Sequence, residues 1–77
     1  MISDKLKNII LRELDLKEFD LTDETTADQV TGWDSLNHIN IIIATEKDFN
    51  IKFKGLEILR IKNLGDLQKL IDSKVQK

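Results

Sequence analysis

Three stretches of this chain carry apolar residues at spacings of three and four, and no proline interrupts any of them. That period matches one face of an α-helix, not the two-residue alternation of a half-buried strand. The first stretch holds Ile2, Leu6, Ile9, Ile10 and Leu14, with Ser3 placed as an N-cap, and predicts a helix over residues 3–14. The second predicts a helix over 35–49. Its inner face is read as Leu36, Ile39, Ile42 or Ile43, and Phe49, with Ile41 off that face. The third follows a capping Asn63 and holds Leu64, Leu67, Leu70, Ile71 and Lys74, which predicts a helix over 64–75. Lys69, Lys74 and Lys77 lie toward its C-terminal end, where the helix dipole favours cations. A short turn of helix is expected over 56–60. Ile51 and Phe53 alternate with polar neighbours, but no second strand pattern exists to pair with them, so 50–54 reads as an extended connection.

Between the first two helices, residues 15–34 lose the period. Asp15, Asp20, Thr22, Asp23, Thr25, Thr26, Asp28 and Thr31 favour turns and side-chain-to-backbone bonds. Leu16, Phe19, Leu21 and Val30 are spaced irregularly and are expected to pin this loop onto the core. A structureless stretch of this length inside a small domain is usually functional or disordered, and the apolar anchors favour an ordered, functional loop. The expected fold is all-α: a small three-to-four-helix bundle with a long loop between helices 1 and 2. Seventy-seven residues allow one domain, taken as 1–77.

Several function classes are disfavoured at once. A net charge of −2 and a pI of about 5.3 leave no basic footprint for nucleic acid. The longest apolar run, Ile41-Ile42-Ile43-Ala44, is far short of the roughly 20 residues of a membrane helix. Met1-Ile2-Ser3-Asp4-Lys5 does not begin a secretion signal. The chain has no cysteine and one histidine, and the acids of the loop lack calcium-loop spacing, so no metal site is expected. Absence of cysteine fits a reducing, cytoplasmic setting.

The chemistry-bearing stretch is Gly32-Trp33-Asp34-Ser35-Leu36. A serine and an acid at a helix start are accounted for by capping, which either Ser35 or Asp34 would satisfy. Asp34, Ser35 and His38 are triad residue types. However, Ser35 and His38 stand one helical turn apart, Asp34 would orient the imidazole from the wrong side, and the Gly-x-Ser-x-Gly elbow is absent. A hydrolase is therefore disfavoured, and His38 is read as solvated. A helix N-terminus does stabilise an attached anion through its free N–H groups and partial positive charge.

Together with Ile39, Ile43, Glu46 and Phe49-x-Ile51-x-Phe53, the stretch closely resembles the signature of acyl carrier proteins and the related peptidyl carrier domains. The match is detailed over residues 30–53 and extends to length, helix order and the long first loop. The resemblance implies that the Ser35 hydroxyl receives 4′-phosphopantetheine from coenzyme A as a phosphodiester, and that the thiol of this arm carries acyl or aminoacyl groups as thioesters. It implies no catalytic residue of the chain's own. It also implies recognition by the modifying enzyme and by partners through Asp34, Leu36, Asn40, Ile43, Lys47 and Arg60. The partners would be a phosphopantetheinyl transferase, an acyl-loading ligase or acyltransferase, and a downstream synthase or transferase. The carrier itself would be a monomer, neither inserted in a membrane nor bound to nucleic acid.

The chain departs from carriers of general fatty-acid synthesis in charge. Those proteins resemble one another in a strongly acidic second helix, whereas Asn37, Asn40 and Lys47 stand here where acids are common, and Arg60 and Lys62 lie near the third helix. The expectation is a specialised, stand-alone carrier for a polyketide, modified-lipid, nonribosomal or polysaccharide-acylation pathway. The alternative is an unmodified helical interaction module with a carrier-like fold. Trp33 is read either as packed over the loop or as exposed to partners, Ile43 either as core or as a partner contact, and the isoleucine-rich helix as a possible acyl sleeve.

Overall fold

The structure is a computed structural model and describes residues 2–75; Lys77, expected near the last helix end, lies outside them. Four helices form: α1 (Asp4–Glu13), α2 (Ser35–Phe49), α3 (Gly55–Leu59) and α4 (Leu64–Val75). A 3-10 turn at Ala27–Gln29 interrupts the long loop, and no strand occurs among the described residues. None of these helices is long and apolar enough to cross a membrane.

Each helix boundary has a local cause. The Ser3 hydroxyl accepts from the Leu6 amide at 3.3 Å and starts α1. Asn50, in the left-handed region at φ 57°, ends α2. Asn63 Oδ1 accepts from the Asp66 amide at 2.9 Å in the first turn of α4. The third helix begins one residue earlier than expected, because the Lys54 amide donates to Glu57 Oε1 at 2.8 Å and closes the turn from outside.

The inner face of α2 differs from the sequence expectation. Ile41, Ile42 and Thr45 are the buried residues of this helix, and Ile41 is fully buried. Leu36 and Ile39, assigned to the inner face, and Ile43, read as an alternative to Ile42 there, are exposed at 67%, 55% and 53%. At about 100° per residue, Ile41, Thr45 and half-buried His38 and Phe49 fall on one side of the helix, and Leu36, Ile43 and Lys47 fall on the opposite side. The helix carries two apolar stripes, and the core takes the one that contains a threonine. That threonine costs little, because its hydroxyl donates to the Ile41 carbonyl at 2.7 Å and leaves no orphaned polar atom.

The core gathers Leu6 and Ile10 from α1 and Leu14 just past its end, Ile41 and Ile42 from α2, and Leu64, Leu67 and Ile71 from α4. Leu21 and Val30 of the loop are buried in it, and Leu16 and Phe19 pack against it, as their placement predicted. Fully burying a side chain of this kind contributes roughly 1.5–3 kcal/mol, and the half-buried Leu16 and Phe19 contribute less. The loop is also bonded to α4, which ends its freedom. The Leu64 and Gly65 amides donate to the Thr25 and Asp23 carbonyls, both at 2.9 Å, using N–H groups that a helix start otherwise leaves unpaired. A Cβ at Gly65 would lie 3.0 Å from the Asp23 carbonyl oxygen, so glycine is what permits this approach.

Polar ties join the remaining ends. Gln68, buried in α4, accepts from the Ser3 amide at 2.9 Å. Arg12 of α1 reaches Asp48 of α2 at 3.2 Å. Glu46 of α2 accepts from the Phe53 amide at 2.8 Å and holds the extended 50–54 connection against the helix. Lys74 of α4 meets Glu57 of α3 at 2.9 Å.

Candidate functional site

The long loop ends in a backbone reversal at Gly32, whose φ of +82° lies in the left-handed region that favours glycine. Two bonds from one residue then fix the turn to the helix behind it. The Asn37 amide donates to Asp34 Oδ1 at 2.8 Å, and the Asn37 side-chain nitrogen donates to the Gly32 carbonyl at 2.8 Å. This decides between the two capping candidates. Asp34 is the N-cap, with extended backbone, and Ser35 is the first helical residue.

Ser35 is thereby released from structural duty. Its side chain is exposed, and its hydroxyl has no hydrogen-bond partner among the described residues. The Ser35 and Leu36 amides likewise have none, since the cap takes Asn37 and the first helical bond takes the His38 amide, 2.8 Å from the Asp34 carbonyl. A nucleophilic hydroxyl therefore stands on a helix N-terminus with two N–H groups open to an anion.

His38 is not the solvated residue that its position suggested. It is half-buried, and the Trp33 indole Nε1–H donates to its Nδ1 at 3.1 Å. An indole nitrogen can only donate, so Nδ1 is the acceptor in this bond. The acceptor that a serine base would need is already occupied. Trp33 itself is half-buried and packs against the core.

An open groove of about 620 Å³ runs beside Ser35, lined by Ala27, Asp28, Trp33, Asp34, His38 and Ile39. Leu36, Asn40, Ile43 and Lys47 share one stripe of α2 pointing away from the core; Asn40 is half-buried and the other three are exposed. For Ile43 this removes the core reading. Arg60 is exposed just past the end of α3. The sequence reading missed the exposure of Ile39, Leu56 and Leu59, the last two at 73% and 80%. It also missed the Trp33–His38 pair, whose only sequence signal is one tryptophan five residues before one histidine.

No protein-family model matches this chain. Among curated proteins, it is similar to the acyl carrier protein of Thermotoga maritima, at 28% identity over 74 residues that cover 96% of this chain and 91% of that protein. Among solved structures, it superposes on the solution structure of a holo acyl carrier protein from Geobacter metallireducens with a TM-score of 0.88. Identity there is 40%, over 94% of this chain and 83% of that one.

Proposed function

Since the chain belongs to the acyl carrier proteins, and so is a carrier and not an enzyme, we propose that Ser35 is the residue to which its 4′-phosphopantetheine arm is attached. The observation that carries this reading is the division of labour at the start of α2: Asp34 caps, and Ser35 stands exposed beside two open amides. Attachment joins the Ser35 oxygen to the phosphorus of the coenzyme A pyrophosphate nearest the pantetheine, releases adenosine 3′,5′-bisphosphate, and passes the hydroxyl proton to base. The resulting phosphodiester anion lies in the field of the helix N-terminus. The described chain acts as one carrier domain and as a monomer.

The surface supports a specialised pathway over housekeeping fatty-acid synthesis. The outward stripe of α2 offers Leu36, Asn40, Ile43 and Lys47, and α3 is flanked by Lys54, Arg60 and Lys62. Such a face suits a partner with an apolar or acidic surface, because like charges brought together on docking are costly and steer encounters away. The pathway would be a polyketide, modified-lipid, nonribosomal or polysaccharide-acylation one, with an acyl-loading enzyme and a downstream synthase or transferase as partners.

The test is intact mass after incubation with coenzyme A and a broad-specificity phosphopantetheinyl transferase. The expected result is a gain of one phosphopantetheine, abolished in Ser35→Ala. No gain with several transferases overturns the reading and leaves an unmodified interaction module.

A further inference from the structure

One side chain holds the turn before Ser35 to the body of the protein. From Thr31 to Leu36 every residue is exposed except Trp33, which is half-buried against the core. Its indole Nε1–H donates to His38 Nδ1 at 3.1 Å, with the rings 6.1 Å apart. The bond joins the residue just before the Asp34 cap to the first turn of α2, and so brackets Ser35 in the chain. A second link brackets it too, from Asn37 Nδ2 to the Gly32 carbonyl at 2.8 Å. That link is exposed, and water competes for both of its partners.

The two links differ in what they need. The Asn37 side chain donates at any pH. The Trp33 bond needs an imidazole nitrogen with a free lone pair. A neutral imidazole has one; an imidazolium carries hydrogen on both nitrogens and can only donate, so it cannot accept from the indole. His38 is the only histidine of the chain, and histidine is the side chain whose ordinary charge change falls between about pH 5 and 8. Protons reach it from the open groove beside Ser35, which it lines. The charged groups around the ring are Asp34 one turn earlier on α2, Asp28 of the 3-10 turn across that groove, and Lys62 of the connection before α4. On that side α4 presents Leu64 and Leu67. Carboxylates and ammonium groups ordinarily titrate outside the histidine window, so a transition within it is assigned to His38.

We propose that the Trp33–His38 bond is a proton-sensitive clasp that sets the pose of the Ser35 turn, so that charging His38 slows attachment of the arm. The proposal rests on the reading of Ser35 as the attachment point. Trp33 and His38 are positioning residues, which act through the turn and touch no reacting atom. With the clasp open, the turn spends part of its time in other poses, and an enzyme that reads one pose binds more weakly by the fraction lost. The effect therefore falls on KM and leaves kcat in place.

The test has two arms and three proteins: wild type, His38→Ala, which has no acceptor, and His38→Asn, whose Oδ1 stands as many bonds from Cβ as Nδ1 does and does not titrate. In the unmodified proteins, the His38 ring protons and the Trp33 indole N–H are followed with pH by NMR. In wild type the indole resonance and the amides of Gly32 to Ser35 are expected to move with the His38 midpoint, and in His38→Asn to stay in place. Movement that ignores that midpoint, or that persists in His38→Asn, overturns the clasp. In the second arm, KM and kcat for a broad-specificity phosphopantetheinyl transferase are measured about one pH unit above and below the midpoint. Each is taken as a ratio to His38→Asn, which cancels the pH dependence of the transferase itself. Above the midpoint, wild type is expected to match His38→Asn, and His38→Ala to show a KM raised by about two- to tenfold, the size of one net hydrogen bond. Below it, wild type is expected to join His38→Ala. A wild-type ratio that stays flat across the midpoint, or a loss in His38→Ala that His38→Asn does not restore, overturns the positioning role. If Ser35 accepts no phosphopantetheine at any pH, the attachment reading fails, and the first arm still decides whether the clasp exists.

Discussion

Asp34 and Ser35 divide two tasks that one serine would otherwise have to share. An N-cap oxygen is committed to a backbone amide, and a hydroxyl in that role is a poor target for a modifying enzyme. With Asp34 accepting from Asn37 at 2.8 Å, the serine keeps its hydroxyl free. Asp34→Ala is therefore expected to destabilise the protein by about 1 kcal/mol, whereas Asp34→Asn, an equally good cap, leaves thermal stability nearly unchanged. If the carboxylate also guides the transferase, both variants are modified more slowly. Thermal melts set beside modification rates separate the two roles, and an Asn variant as unstable as the Ala variant would show that the cap is not what Asp34 supplies. At this scale the sequence was informative up to a point. It placed the serine at a helix start but left the cap open, because a capping preference belongs to residue types and the choice between neighbours is made by backbone geometry.

At the scale of elements, helix positions were legible and helix orientation was not. The boundaries of α2 and α4 fall where periodicity and caps put them. The inner face of α2 was misread because its isoleucines occupy both sides, and the deciding core residue is Thr45, a polar type whose hydroxyl is satisfied within its own helix. Paired truncations test the corrected face. Ile41→Ala is expected to cost about 2–5 kcal/mol, and Ile43→Ala no more than about 0.5 kcal/mol, as read by denaturant melts. Equal losses would contradict the orientation. The short helix α3 has a pH dependence of its own. The Lys54 amide, and after it the Lys74 ammonium, hold the Glu57 carboxyl below its ordinary range. A carboxyl lowered on folding stabilises in full above its unfolded value, about 4.3 for glutamate, and loses that contribution as pH falls through the lower folded one. The Lys54 amide resonance should shift in that acidic window and stay flat in Glu57→Gln; a shift that persists in the variant would assign the titration to another group.

For the molecule as a whole, the chain packs its long loop onto the bundle and leaves the outward stripe of α2 outside the core. The long loop, docked through Leu64 and Gly65 onto α4 and through Leu21 and Val30 into the core, presents the turn before Ser35 as part of the folded body. Those anchors were visible in the sequence as irregular apolar residues, but the backbone bonds to α4 were not, since carbonyl partners carry no residue signature. The outward stripe of α2 is neutral to basic, and this sets the expected choice of partners. Asn40→Glu combined with Lys47→Glu should improve acceptance by fatty-acid synthesis enzymes that dock acidic carriers, measured as acyl transfer rates at low and physiological salt. Unchanged acceptance would mean that charge on this helix does not select the pathway. All of this presumes a loaded Ser35, and one digestion tests that directly. Trypsin cleavage after Lys17 and Lys47 releases a peptide whose only serine is Ser35. After incubation with coenzyme A and transferase, fragmentation of the digest should place a single phosphopantetheine on that peptide, at Ser35. Its appearance on the peptides bearing Ser3 or Ser73, or on none, would contradict the account.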